Sequence, residues 1–464
     1  MMTPESPRAA ASASPTRSEQ PPGPPPRKGL LEDALFYARF ATDPIGFVRK
    51  RFETYGDIYR VPTKDVPLYV TRHPDHAHEV LVSRAAHYDK QHSAFKQLST
   101  VLGSGLLTSD GDHWARHRRM MHPVFARSRL AGYADVMVGE TSTELASWKH
   151  DTYRDLGRDM TELTLRIVST TLFSHDASGD ATRTRTAMAS IHDVLGGAPI
   201  PEWVPWPGRK RVAESIALLD DLIFSMIARR RERGPREGAS DLLDLLLAAK
   251  DTDGDGAGLS DREIRDELLT LFLAGHETTA HALTWTFILL AQNPDAERAL
   301  HEELDRVLDG RAPTFEDAER LPYTLQVIKE SMRLYPPAYT LARRAIADTQ
   351  VGGYDIPKGS EVVVWLYMTH HDARWYPEPW RFRPQRFDKE AEARLPKLAY
   401  LPFGAGGRAC IGRAFALLEA QLVLATLAQR YRLHLVRSGR VEPKLRITMF
   451  PKRRVVVRLE ARRL

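Results

Sequence analysis

From Ser260-Asp261-Arg262-Glu263 to Asn293-Pro294 the chain reads as one helix, and this stretch constrains the fold more than any other. A serine followed three residues later by a glutamate forms a capping box, and Asn-Pro is a stop signal. Between them stand Leu268, Leu269, Leu271, Phe272, Leu273, Leu283, Trp285, Phe287, Ile288, Leu289 and Leu290. A helix this long and this apolar must cross the core, so other helices have to pack around it. With 42% hydrophobic and 27% charged residues among 464, the chain has the material for a large core. The middle of the stretch breaks the pattern. Ala274-Gly275-His276-Glu277-Thr278-Thr279 puts a glycine, an acid and two threonines where a structural helix prefers leucine. Threonine hydroxyls bond backbone carbonyls and glycine weakens a helix, so a local distortion is expected here.

The only cysteine lies in Phe403-Gly404-Ala405-Gly406-Gly407-Arg408-Ala409-Cys410-Ile411-Gly412. A lone cysteine in an ordinary helix is an inert small hydrophobe. Here glycines surround it, allowing positive φ and the close approach of a large flat partner. An apolar helix is expected from Arg413 to Tyr431, which sets Cys410 at a helix N-terminus, where a thiol pKa is lowered. A thiolate with main-chain N–H groups nearby, Phe403 to shield it and Arg408 two residues away suits an iron porphyrin with anionic propionates.

The string Phe403 to Gly412 resembles the cysteine-loop signature of the cytochrome P-450 (haem-thiolate) monooxygenases, Phe-x-x-Gly-x-Arg-x-Cys-x-Gly, at every defined position. Four further motifs follow the order of that family. Trp114 and Arg118, four apart and hence on one helix face, match Trp-x-x-x-Arg. Ala274-Gly275-His276-Glu277-Thr278-Thr279 matches the oxygen-side motif. Glu330 and Arg333 match Glu-x-x-Arg, and Arg386 matches the arginine of the later segment. The resemblance implies a mainly α fold with a small β subregion, a single domain over 29–464, and haem b between the Gly275 helix and the Cys410 loop. It makes Cys410 the axial iron ligand, with Phe403, Gly404, Ala274 and Gly275 along the haem. Arg408, Trp114, Arg118 and Arg343 become propionate contacts, with Arg344 as the rival to Arg343. Thr278 serves dioxygen with a hydrogen bond, a gap beside Gly275 gives the oxygen room, and Glu277 relays protons. Glu330, Arg333 and Arg386 form a buried structural triad.

The implied reaction inserts one oxygen atom into a hydrophobic small molecule such as a fatty acid, terpenoid or polyketide-like compound. Electrons come from NAD(P)H through ferredoxin reductase and ferredoxin. The alternatives are a peroxide-dependent peroxygenase, a haem-thiolate isomerase or dehydratase, and a haem sensor. By family position, Phe95, Leu98, Leu102, Ala274, Ala338, Leu341, Thr448 and Met449 line the substrate pocket. Residues 89–108 are expected to be a long irregular connection over the haem, and the loop 196–207 with Trp203 and Trp206 a lid. Arg116 and Arg119 are read as docking an acidic electron donor.

Residues 1–28 contain eight prolines and no apolar run, so they are expected to be disordered. There is no secretory signal and no spanning segment, which points to a soluble, cytoplasmic, monomeric protein. A single cysteine excludes an internal disulfide. Lys and Arg number 66 against 60 Asp and Glu, which gives little support to nucleic-acid binding. His73, His76, His78 and His87 are read as solvated. The acidic run from Asp251 is read as an exposed turn, because its twelfth position is Arg262 and not the glutamate of a calcium loop. His276-Glu277 fails as a zinc site, since His281 comes one position late.

Overall fold

The computed structural model describes residues 20–63, 66–173, 207–234, 241–251 and 256–462. The expected lid loop and the helix around 183–195 lie outside these residues. The helices are α1 (Leu30–Thr42), α2 (Pro44–Tyr55), α3 (Pro74–His78), α4 (Ser93–Leu102), α5 (Gly111–Met121), α6 (Arg127–Ala146), α7 (Leu156–Phe173), α8 (Pro207–Arg233) and α9 (Leu242–Ala248). They continue with α10 (Asp261–Gln292), α11 (Pro294–Leu308), α12 (Asp317–Arg320), α13 (Pro322–Leu334), α14 (Leu366–His370), α15 (Lys389–Ala393) and α16 (Arg413–Arg430).

The long helix forms as its signals predict. Ser260 and Glu263 cap each other reciprocally at the start of α10, and Pro294 begins the next helix. The distortion expected near Gly275 does not break it: Thr278 and Thr279 return their hydroxyls to the carbonyls of Ala274 and Gly275 at 2.7 and 3.1 Å, and the helix runs on unbroken. α10 crosses the core between two apolar clusters. One gathers side chains of α6, α7, α13 and α16 around Trp285 and Leu283; the other gathers α4, α8 and α9 around Leu268 and Phe272. α7 passes beside Gly275: a Cβ there would stand 3.4 Å from Val168, in ordinary van der Waals contact, so packing against α7 does not by itself require the glycine.

The β subregion is a sheet ordered β1-β2-β8-β5-β3, from β1 (Ile58–Val61), β2 (Leu68–Thr71), β3 (Tyr88–Asp89), β5 (Leu341–Ala345) and β8 (Glu361–Val364). β2 and β8 are parallel and the other pairs antiparallel. A smaller sheet pairs β4 (Tyr153–Asp155), β12 (Val456–Ala461) and β9 (Tyr431–Leu435), and two hairpins pair β6 (Thr349–Val351) with β7 (Tyr354–Ile356) and β10 (Pro443–Leu445) with β11 (Met449–Pro451).

Several expectations need correction. Residues 20–28, assigned to the tail, run beside β1: Pro22 accepts from Arg60 N–H at 2.8 Å, and Pro21 is buried. Residues 93–102 are a helix, because Phe95, Leu98, Val101 and Leu102 recur at helical spacing against α10. Leu102 is consequently wholly buried beside Leu268 and Leu269, and cannot line a pocket. Met449 is likewise wholly buried, in a cluster with Val48, Phe52 and Tyr59. His76 is not solvated: it bonds Thr71 Oγ1 at 2.7 Å, and burial lowers its pKa to about 4. Asp251, where the acidic run opens, is buried against Arg119 and Arg116, and residues 252–255 lie outside the described residues.

Under the cysteine loop, Glu330 accepts Arg333 Nε and Nη2 at 2.7 and 2.8 Å and Arg383 N–H at 2.9 Å, and stands 3.3 Å from Arg386 Nε. Glu330 and Arg333 are both wholly buried. Arg333 also donates to the carbonyls of His370 and Pro379, joining α13 to the chain that leads into the loop. Removing one partner of a buried pair strands the other, so Glu330→Gln should cost roughly 3–5 kcal/mol in urea unfolding. The same treatment of the exposed Asp295–Arg298 pair should cost about 1 kcal/mol or less.

Glu419 on α16 is wholly buried, neither of its carboxyl oxygens has a hydrogen-bond partner among the described residues, and burial raises its carboxyl to about 8. An acid neutral in the fold and ionised when unfolded loses stability as pH rises between 4.5 and about 8. Glu419→Gln should abolish that slope and gain on the order of 3–5 kcal/mol at pH 8, as melting curves at pH 5 and pH 8 will measure.

Candidate functional site

The loop before α16 is shaped by glycine. Gly404 and Gly406 both have φ +68°, and a Cβ on Gly406 would lie 2.1 Å from the carbonyl of Leu81. No other residue could hold this turn against that strand of chain. The Cys410 N–H donates to Phe403 O at 2.8 Å, closing the loop. Trp114 of α5 lies against it, 3.6 Å from where a Cβ on Gly407 would be, and the Arg408 guanidinium covers the Trp114 ring at 3.8 Å.

Cys410 is accessible, yet protein surrounds its sulfur, and burial holds the thiol above its ordinary pKa. The Gly412 N–H and the charges of Arg118, Arg413 and Lys90 act the other way without prevailing. Burial thus opposes the lowering expected at a helix N-terminus, and a bound metal ion would favour the thiolate, because metals take the deprotonated sulfur.

Around the loop positive charge accumulates. Arg408 donates to Ser109 O at 2.7 Å and to Asp110 at 2.5 Å. Among the described residues, neither Lys90, Arg118 nor Arg343 has a carboxylate within ion-pair distance. Lys90 is buried, donates to Leu107 O at 3.0 Å, and is pulled down to about 7 by burial and then by Arg343 and Arg408. Arg343 is buried and, among the described residues, its guanidinium has only the Ala342 carbonyl as hydrogen-bond partner; burial and Arg408 lower it to about 10. Arg344 is paired with Asp89 at 2.5 Å, so it is not the free cation of the two. His92 is buried, with Nε2 lacking a partner, and burial followed by Arg343 and Lys90 lowers it to about 4. Among the described residues, Arg408 alone of the four cations Lys90, Arg118, Arg343 and Arg408 contacts a carboxylate, and the buried His92 ring nitrogen lies near them. Such a site fits an anionic group with several acceptor oxygens, which the two propionates of haem supply. Lys90 and His92 escaped the sequence reading. They sit just before α4 in what looked like plain connection, and no periodic signal marks a buried cation.

The oxygen-side residues share one face of α10. Leu271, Ala274, Thr278 and His281, at helical spacing, are all at least partly accessible, while Phe272, Leu273, His276, Thr279 and Ala280 around them are buried. Glu277 is also partly accessible, and the Thr448 hydroxyl donates to its Oε1 at 3.2 Å. Thr448 thereby proves to be a partner of the acid as well as a buried neighbour of the pocket. Ala338, Leu341 and Phe95 are partly accessible and Leu98 is buried. Leu341 touches the loop, 3.5 Å from where a Gly404 Cβ would be.

α5 is clamped to α10. His117, wholly buried, bonds Glu267 at 2.7 Å and Glu263 at 3.1 Å, and these carboxylates raise its pKa against the opposing effect of burial. Arg116 binds Glu263 at 3.0 Å and Gly258 O at 2.7 Å, and Arg119 binds Asp251 at 3.0 Å. Arg116 and Arg119 thus both have internal partners, while Arg119 remains exposed at the surface. His113, His117 and Glu263 lie close enough to hold a metal ion. Both oxygens of Glu263 are already engaged, by Ser260 on one side and by Arg116 and His117 on the other, and the group serves as a lock between helices.

Comparison with known proteins agrees with this geometry. The profile of the family described as Cytochrome P450 matches residues 21–458. Cyclooctatin synthase of Streptomyces melanosporofaciens is 36% identical over 90% of this chain and 91% of its own. Cyclooctat-9-en-7-ol 5-monooxygenase of the same organism is 35% identical over 82% of this chain and 83% of its own. Pentalenene oxygenase of Streptomyces avermitilis is 31% identical over 90% and 93%. The crystal structure of the cytochrome P450DA heme domain superposes with a TM-score of 0.84 at 28% identity, covering 97% of this chain and 99% of that one. With fold, motif order and family profile in agreement, this chain belongs to the cytochrome P450 family.

Proposed function

We propose that the chain is a monooxygenase that inserts one atom of dioxygen into a polycyclic terpenoid, with electrons passed from NAD(P)H through a ferredoxin reductase and a ferredoxin in the cytoplasm. The observation that carries this reading is the acid–alcohol pair Glu277-Thr278 on the accessible face of α10. Haem, when bound, supplies the oxygen activation; a thiolate ligand favours O–O cleavage. The residues of the chain do the rest. Cys410 would ligate the iron, and Arg118, Arg343, Arg408, Lys90 and His92 would hold the propionates with Trp114 packed alongside. Glu277 would take protons from solvent and pass them toward Thr278, whose hydroxyl bonds Ala274 O. Phe95, Ala274, Ala338 and Leu341 offer the substrate apolar walls and exclude water.

The terpenoid class is supported by the names of three similar proteins, two acting on the cyclooctatin skeleton and one on pentalenene. Among the described residues no helix is long and apolar enough to cross a membrane.

Cyclooctat-9-en-7-ol and pentalenene serve as probes. The expected result is a low- to high-spin shift of the loaded protein and a product one oxygen atom heavier with NADPH, ferredoxin and reductase. An isomer of unchanged mass, or equal yield from peroxide alone, would contradict the proposal. Arg343→Leu should weaken haem retention about tenfold or more, the scale of a charge-assisted bond. Arg344→Leu, which breaks only the pair with Asp89, should leave retention near wild type in a haem-transfer assay.

A further inference from the structure

Among the described residues, Thr448 and His281 lie beside the carboxylate of Glu277. Thr448 Oγ1 donates to Oε1 at 3.2 Å, and Nε2 of His281, one turn further along α10, stands 4.0 Å from the same oxygen. Thr448 belongs to the turn of the β10–β11 hairpin, where the Arg446 N–H bonds Thr448 O at 3.0 Å. That hairpin is fastened to the segment after α13: Met449 N–H donates to Pro337 O at 2.9 Å and Tyr339 Oη to Arg446 O at 2.7 Å. His281 is fastened to the same hairpin by stacking on Phe450, with ring centres 5.4 Å apart and planes 22° apart. A glutamate has three rotatable bonds, so its carboxylate keeps one position only where donors on rigid elements hold it. The side chain is 12% exposed, close enough to solvent to receive protons and covered enough to need such donors.

We propose that Thr448 is a positioning residue for Glu277. Its hydroxyl seats the carboxylate between solvent and Thr278, and so makes the C-terminal hairpin a third part of the proton path. A proton from solvent bonds to a Glu277 oxygen and leaves it toward Thr278, so the carboxylate ends as it began and no redox partner enters the step. The inference rests on the relay role given to Glu277 above, and deepens it by naming what sets that residue's position.

The test compares haem-loaded wild type, Thr448→Val, Thr448→Ser and Glu277→Gln. Each is turned over with NADPH, ferredoxin and reductase without added substrate, and the consumed oxygen is divided between peroxide and water. Thr448→Val should raise the peroxide-to-water ratio by about two- to tenfold, the factor that one hydrogen bond carries. Thr448→Ser, which keeps the hydroxyl, should stay near wild type. Crystal structures supply the readout independent of activity: the Glu277 carboxylate should leave its wild-type position in Thr448→Val and keep it in Thr448→Ser. A carboxylate unmoved and a ratio unchanged in Thr448→Val would overturn the inference, as would equal damage in both Thr448 variants, which would mean packing and not the hydroxyl. If Glu277→Gln itself leaves the ratio unchanged, the relay reading fails and the seat fails with it. A change in Glu277→Gln alone sinks only the seat.

Discussion

The structure depends on a surplus of positive charge, part of it buried, with Lys90 and Arg343 inside the protein. Lys90, Arg118, Arg343 and Arg408 converge near the cysteine loop, and among the described residues Arg408 alone of them contacts a carboxylate, that of Asp110. Burial first, and then the repulsion of neighbouring cations, drives Lys90 and Arg343 below their ordinary pKa. An anionic prosthetic group turns this repulsion into attraction. Holding the group and stabilising the fold around it then become one interaction, and the elements that supply the cations have to be rigid.

That rigidity is visible on every side. α5 brings Trp114 and Arg118, and is pinned to α10 through His117 between Glu263 and Glu267. β5 brings Arg343, held in the sheet by β8 and β3. The loop brings Arg408 and Cys410 and is set by Gly404 and Gly406, while the Glu330 triad ties α13 to the chain that leads into it. α10 is thus both the spine of the core and one wall of the site. A single helix can do both because its accessible stripe and its buried stripes alternate at the helical period.

Much of this was legible in the chain. The ends of α10 were written in a capping box and an Asn-Pro stop, and the cysteine loop in a run of glycines with local causes. What stayed hidden was long-range. Arg343 and Arg344 are neighbours of identical type, and only the position of Asp89 on β3 tells which is already paired. Arg116 and Arg119 looked free because their partners lie more than a hundred residues away. Leu102 and Met449 have the composition of pocket walls, but helix and hairpin turn them into the core. Lys90, His92 and Glu419 show that a buried titratable group leaves no period in a sequence, since its meaning comes from what surrounds it.

The claim beneath all of this is that Cys410 and the cation cluster together hold a haem through its iron and its propionates. The ferrous carbon monoxide difference spectrum tests it most directly, with purified wild type beside Cys410→Ser. A strongly red-shifted Soret band in wild type, lost in the serine variant, is the result predicted. A band at the position of histidine-ligated haem, the same in both proteins, would contradict it.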